Sequence, residues 1–176
     1  MRRFLLLIPF CLLAIGCPPP PAPKARTVGV DRGDIAAPLE GKDLDGNVIK
    51  LSDYRGKVVV VDFWWTRCGP CIAAIPREKE MVKQLKGRPF AFISVCTSPN
   101  REETKQLLKK IPVPWPNIDD GDAGPIVTEW GVRDYPTFVV IDATGVIRYR
   151  HYNHDGMEMA VDKWIKEAEK AGIAKN

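Results

Sequence analysis

The chain has 176 residues but only two histidines, His151 and His154, and no Cys-x-x-Cys besides the one at Cys68 and Cys71. A structural zinc needs four ligands, so this shortage argues against reading the cysteine pair as half of a zinc site. A basic run is also missing: the net charge of +4 is small and scattered, which removes nucleic acid from the candidate partners. No apolar stretch reaches the about 20 residues of a membrane-spanning helix, and the N-terminal run Phe4 to Ile15 falls well short. No internal repeat is visible. With 45% hydrophobic and 27% charged residues, the composition fits one globular domain plus a tail.

Arg2 and Arg3 followed by the short apolar run follow the plan of an export signal, assigned to residues 1–16 and set apart from the fold. Ala14-Ile15-Gly16-Cys17 resembles a bacterial lipobox, in which Cys17 would be the lipidated mature N-terminus. Leu13 stands one place earlier than that pattern prefers, and Ala14-x-Gly16 also fits an ordinary cleavage site that would leave Cys17 free. Residues 17–35 then read as an anchor cysteine and a linker. Its stretch Pro18-Pro19-Pro20-Pro21-Ala22-Pro23 favours polyproline II, a stiff spacer of about 3.1 Å per residue, and a plain tail is the simpler alternative. The domain is placed at residues 36–176.

Thiol chemistry is written in one stretch. Val58-Val59-Val60-Val61, with Phe63 and Trp64, is a continuous apolar run suited to a central strand covered on both faces. Cys68-Gly69-Pro70-Cys71 follows, then a helical pattern of Ile72, Ile75, Met81, Val82 and Leu85. Pro70 suits the first helical turn, where its missing N–H is not needed. Cys68 therefore falls at a helix N-terminus, where unpaired N–H groups and the helix dipole favour a thiolate and lower its pKa from about 8.5 to roughly 7 or below. Arg67 pushes the same way. Cys71, one turn further in, faces the same side and suits a resolving thiol.

The remaining chain reads as a β-hairpin over Leu39 to Leu51 with an Asp45-Gly46 turn, the central strand, and the cysteine helix, kinked at Pro76 and ended by Gly87 and Pro89. A strand Phe90 to Cys96 and an amphipathic helix Arg101 to Lys110 follow. A proline-rich segment leads to a short helix within Asp122 to Trp130. Strands Thr137 to Asp142 and Val146 to Arg150 surround a turn, and an amphipathic helix Met157 to Ala171 closes the chain.

This order, with Phe63-Trp64, Thr66 and Cys68-Gly69-Pro70-Cys71 at the strand–helix junction, resembles the thioredoxin superfamily and its exported TlpA/ResA-like branch. Leu51-Ser52-Asp53-Tyr54 with Gly56-Lys57, the helix proline Pro76, Tyr135-Pro136-Thr137-Phe138, Ile141-Asp142 and Gly145 match further points of that pattern. The resemblance implies an α/β thioredoxin-like fold, with a central mixed sheet flanked by helices, an N-terminal hairpin and a helical insertion over Pro99 to Trp130. It also implies a cis peptide before Pro136, packed beside the dithiol, and substrate pairing with the backbone of Tyr135. The family has a small residue where Trp65 stands and a Trp where Arg67 stands, so the surface beside Cys68 is altered.

The implied activity is protein-disulfide oxidoreduction, with Cys68 attacking and Cys71 resolving the mixed disulfide. Gly-Pro between the cysteines resembles the reducing members. No cofactor beyond the Cys68–Cys71 disulfide is called for, and no metal. Asp62, a carboxylate in an apolar strand, should cost several kcal/mol if charged and unpaired, so a raised pKa and a proton-transfer role are expected; a side chain turned to solvent is the alternative. Trp64, Arg67, Tyr135 and Pro136 are the candidate substrate contacts, though Trp64 also suits the core. Cys96 reads as a small buried hydrophobe. Partners are protein thiols and disulfides, a membrane electron donor, and the membrane through the Cys17 anchor, on the exported side of the cell envelope. Two rival readings are a copper-binding assembly module, built from Cys68, Cys71 and His151 or His154, and a thiol peroxidase.

Overall fold

A computed structural model describes residues 26–152 and 154–173. The signal segment, Cys17 and the polyproline stretch lie outside these residues. The elements run β1 (Val28–Gly29), β2 (Ile35–Ala36), β3 (Glu40–Lys42), β4 (Val48–Lys50), a 3-10 turn (Leu51–Tyr54), β5 (Val58–Trp64), α1 (Gly69–Gln84), β6 (Phe90–Cys96), α2 (Arg101–Lys110), β7 (Asn117–Asp119), α3 (Pro125–Glu129), β8 (Thr137–Ile141), β9 (Ile147–His151) and α4 (His154–Lys170). The main sheet has five strands in the order β7-β6-β5-β8-β9, with β6 parallel and β8 antiparallel to β5.

The run of β-branched residues forms β5 because it is sheltered on both faces: all seven residues are buried. Its period of two divides the core. Val59, Val61 and Phe63 pack with Ala36, Leu39, Ile93, Ile126 and Trp130 beneath the hairpin and α3. Val58 and Val60 face the other way, onto Met81 of α1 and onto Met157, Val161 and Ile165 of α4. By the same alternation Asp62 and Trp64 also point to the α1 side.

The hairpin forms as β3 antiparallel to β4, with Gly46 at a φ of +91° that favours glycine. Two boundaries differ from the sequence reading. The fold starts before Ala36: β1 pairs in parallel with β2, Gly33 N–H donates to the Ile147 carbonyl over 2.8 Å, and Arg150 holds the Val30 carbonyl. The segment Pro99 to Trp130 is not only helical, since Asn117–Asp119 adds an edge strand parallel to β6. Three residues with a single apolar one between acids and prolines carry no strand periodicity; β6 supplies the missing hydrogen-bond partners. Helix α1 continues through Pro76, and among the described residues no helix is long and apolar enough to cross a membrane.

Candidate active site

Strand β5 ends at Trp64, and after the turn Trp65–Arg67 the chain enters α1, with Cys68 at its N-cap position. Pro70 sits in the first turn, and the Cys71 N–H donates to Cys68 Sγ over 3.1 Å, so an otherwise orphaned helix donor serves the sulfur. Cys68 and Cys71 are joined as a disulfide, with Cα atoms 5.2 Å apart. Exposure does not separate them, at 5% and 4%; what separates them is that Cys71 lines an inner cavity and Cys68 does not.

That cavity, of about 10 Å³, is walled by Cys71, Asp62, Glu78, Ser94, Trp115 and Asn117 among others, and is about the smallest space that admits one water. Asp62 is 5% exposed, its Oδ1 has no hydrogen-bond partner, and burial pushes its carboxyl up to about 8 while the Ser94 hydroxyl pulls it back. The buried location, not the alternative of a carboxylate turned to solvent, is therefore found. Ser94 lies opposite Asp62 in the β5–β6 register, and its Oγ accepts from Trp115 Nε1 over 2.7 Å.

Trp64 is a wall of this cavity and not a substrate platform. It is 3% exposed, and its Nε1 donates to Asn117 Oδ1 over 2.8 Å. Period-two alternation turns it inward, which leaves the half-buried Trp65 as the aromatic with an outer face beside the cysteines. Arg67 is exposed, as a substrate contact requires, but its charge is not free: it forks onto Glu103 of α2 with two hydrogen bonds of 3.2 Å. Its pull on the Cys68 thiol is offset accordingly. Glu103 also accepts from Thr66 Oγ1, and the Thr66 N–H donates to Ser98 Oγ over 2.8 Å, so α2 and the end of β6 brace the active-site turn.

The Tyr135–Pro136 peptide is cis, and Tyr135 packs against the cluster of Trp64, Cys68, Cys71 and Cys96. Cys96 is a free thiol, fully buried, donating to Ser98 Oγ over 3.3 Å and held above the usual thiol range chiefly by burial. The two histidines are not gathered with the cysteines: His154 meets the Phe138 ring edge-on and His151 stacks on Tyr152. Among the described residues no three His, Cys, Asp or Glu side chains converge into a group able to hold a metal ion. The larger grooves, about 560 Å³ between α1 and α4 and about 530 Å³ beside Trp115, do not reach the disulfide.

One functional candidate escaped the sequence reading. Glu78 of α1 is 2% exposed, raised to about 9 by burial and then by the charge of Asp62. The signal was present, since Glu78 falls on the same helical stripe as Cys71, Ile75, Val82 and Leu85.

The Redoxin family matches over residues 21–165. Among individual proteins, the thiol-disulfide oxidoreductase ResA of Bacillus thuringiensis subsp. konkukian (strain 97-27) is 32% identical over 106 residues, 60% of each chain. The matched stretch thus spans about three-fifths of that relative's length. The thioredoxin-like protein YneN of Bacillus subtilis (strain 168) is 28% identical over 129 residues, covering 72% of this chain and 74% of its own. A thiol:disulfide interchange protein from Bacteroides sp. superposes with a TM-score of 0.68 at 25% identity, over 81% of this chain and 95% of its own.

Proposed function

Because the chain belongs to the Redoxin family, as a TlpA/ResA-like member of the thioredoxin superfamily, we propose that it is an extracytoplasmic thiol-disulfide oxidoreductase that reduces protein disulfides through Cys68 and Cys71. The observation that carries this reading is the disulfide-bonded pair at the N-terminus of α1, with Cys68 Sγ accepting the Cys71 N–H. In the reduced enzyme the helix terminus favours a Cys68 thiolate. That thiolate attacks one sulfur of a substrate disulfide, the substrate S–S bond breaks, and the departing sulfur leaves as a thiolate. Cys71 then attacks Cys68 Sγ, the mixed disulfide opens, and the second substrate thiol is released. The substrate has gained two electrons and the enzyme is left in the disulfide form.

Asp62 is the base for the second step. A thiol sealed from bulk water needs a local proton acceptor, and a carboxyl whose pKa is raised toward that of a thiol is matched to the exchange. Trp65, Arg67, Tyr135 and Pro136 form the surface a protein substrate meets, with Trp64 behind them. Export by residues 1–16 and attachment at Cys17 are supported by the signal-like N-terminus and the adjoining proline-rich stretch, and a membrane electron donor completes the reading.

The deciding experiment is partner trapping with Cys71→Ser, in which the mixed disulfide cannot be resolved. Substrate proteins linked through Cys68, absent from a Cys68→Ser control, are expected, together with insulin reduction by the wild type. Failure of both would overturn the proposal.

A further inference from the structure

Buried carboxylates in this fold are otherwise provided for. Asp142, also 5% exposed, receives Arg148 Nε over 2.6 Å, the N–H groups of Thr144 and Val146, and the Thr144 hydroxyl. Glu78 and Asp62 have no such arrangement. The other polar walls of their shared cavity are Trp64 from β5, Ser94 from β6, Trp115 from the loop before β7, Asn117 from β7, all uncharged, and Cys71 from α1. No cation lines it among the described residues. An apolar side chain at position 78 would fill the same space without the cost of burying an ionisable group that has no counter-charge.

The placement of Glu78 follows from two periodicities. On α1 the steps from Cys71 to Ile75 and on to Glu78 are four and three residues, which keeps all three on one face. On β5 the alternation turns Asp62 toward that face. The cavity therefore sees Cys71 and Glu78 from above and Asp62 from below, with one Asp62 oxygen still open. An open acceptor beside a second acid is stable only if one carboxyl carries a proton, because two anions cannot both be accommodated without a counter-charge.

Given the dithiol reaction proposed above, we infer that Glu78 is a positioning acid for Asp62: it stays protonated, donates its carboxyl O–H to Asp62 Oδ1 directly or through one water, and so holds ready the carboxylate that takes the Cys71 proton. Electrostatics agree in direction: burial raises both carboxyls, and the Asp62 charge raises Glu78 further, so the pair favours holding one proton. In resolution the Cys71 proton moves to Asp62, the Cys71 sulfur bonds to Cys68 Sγ, and the bond from Cys68 to the substrate sulfur breaks. The electron pair leaves on the substrate, which takes a proton from solvent. Asp62 keeps its proton until a dithiol donor reduces the Cys68–Cys71 disulfide and Cys71 recovers it.

The test follows the two thiol equivalents released when reduced protein meets an aromatic disulfide: the first reports attack by Cys68, the second resolution by Cys71. Between about pH 6 and 10, Glu78→Leu is expected to move the acid limb of the second phase up by about one pH unit and to slow it about tenfold at neutral pH, with the first phase unchanged. Glu78→Gln, whose amide can still donate to Asp62, should stay within about twofold of wild type at neutral pH. Second-phase profiles for Glu78→Leu that superimpose on wild type would overturn the proposal. Carboxyl carbon NMR of the unsubstituted protein gives an independent reading: Glu78 should titrate above Asp62, and a Glu78 titrating near its ordinary 4.5 would overturn it. Neither measurement needs a protein substrate, so absence of trapped partners would count against the proposed function alone.

Discussion

Arg67, the residue directly before Cys68, forks onto Glu103 of α2 through two hydrogen bonds of 3.2 Å. The cation that replaces the family's usual Trp beside the attacking cysteine is thus answered by an anion from the helix that follows β6. The active-site turn carries a neutral pair where sequence alone presents a bare positive charge.

Glu103→Gln should leave Arg67 uncompensated and lower the Cys68 thiol pKa by a few tenths of a unit, more at low salt. Arg67→Ala, which strands Glu103, should raise it by a similar amount. Alkylation rates of reduced protein against pH measure both shifts. Because the Arg67 side chain is 71% exposed, either change should leave the stability of the fold nearly unchanged.

Asp62→Asn should slow resolution by Cys71 and spare the first attack by Cys68. The amide keeps the shape of the carboxylate and removes the proton acceptor, so the mixed disulfide should accumulate during turnover of a small-molecule disulfide. Quench-and-alkylate mass spectrometry reads that accumulation, and a variant that shows none would make Asp62 purely structural.

Stability should fall as pH rises. Asp62 and Glu78 both have folded-state pKa values raised above their ordinary 3.8 and 4.5, to about 8 and about 9. A raised acid binds its proton more tightly when folded, so its contribution is complete below the unfolded value and is lost as pH climbs through the folded one. Urea unfolding at pH 6 and pH 9 should differ by a few kcal/mol, on the order of what shifts of this kind supply. In the double variant Asp62→Asn, Glu78→Gln that difference should largely vanish.

Trp64→Phe should destabilise the fold by roughly 1–3 kcal/mol, since it leaves Asn117 Oδ1 without its buried donor. Substrate affinity should hold, because Trp64 presents almost no surface. A large rise in KM with unchanged stability would restore Trp64 as a substrate platform.

Cys96 should resist alkylation in the folded protein and stay outside the redox cycle. Cys96→Ala should leave turnover intact at a cost of about 1 kcal/mol from the small void it opens. A disulfide from Cys96 to Cys68 or Cys71, found by mass spectrometry, would contradict this.

By itself the sequence determined the elements whose signals are local. Four β-branched residues in succession fix a covered strand, Pro70 after Cys68 fixes a helix start, and Asp45-Gly46 fixes the hairpin turn; each depends on torsional and steric preferences of neighbours along the chain. The expectation that Cys68 attacks and Cys71 resolves came from the one helical turn between them, and a carboxylate amid valines announced the burial of Asp62. Tertiary structure decided whatever depends on what a side chain meets from a distant segment. The three-residue strand Asn117–Asp119 exists because β6 offers it an edge. Arg67 is neutralised because α2 brings Glu103 to it across 36 residues. Glu78 looks like one more acid on a charged helix until α1 is laid over β5, and only then does the absence of any counter-charge in the shared cavity make it a partner of Asp62. Local sequence sets backbone conformation, but a charge acquires its energy from its surroundings, and those are assembled by packing.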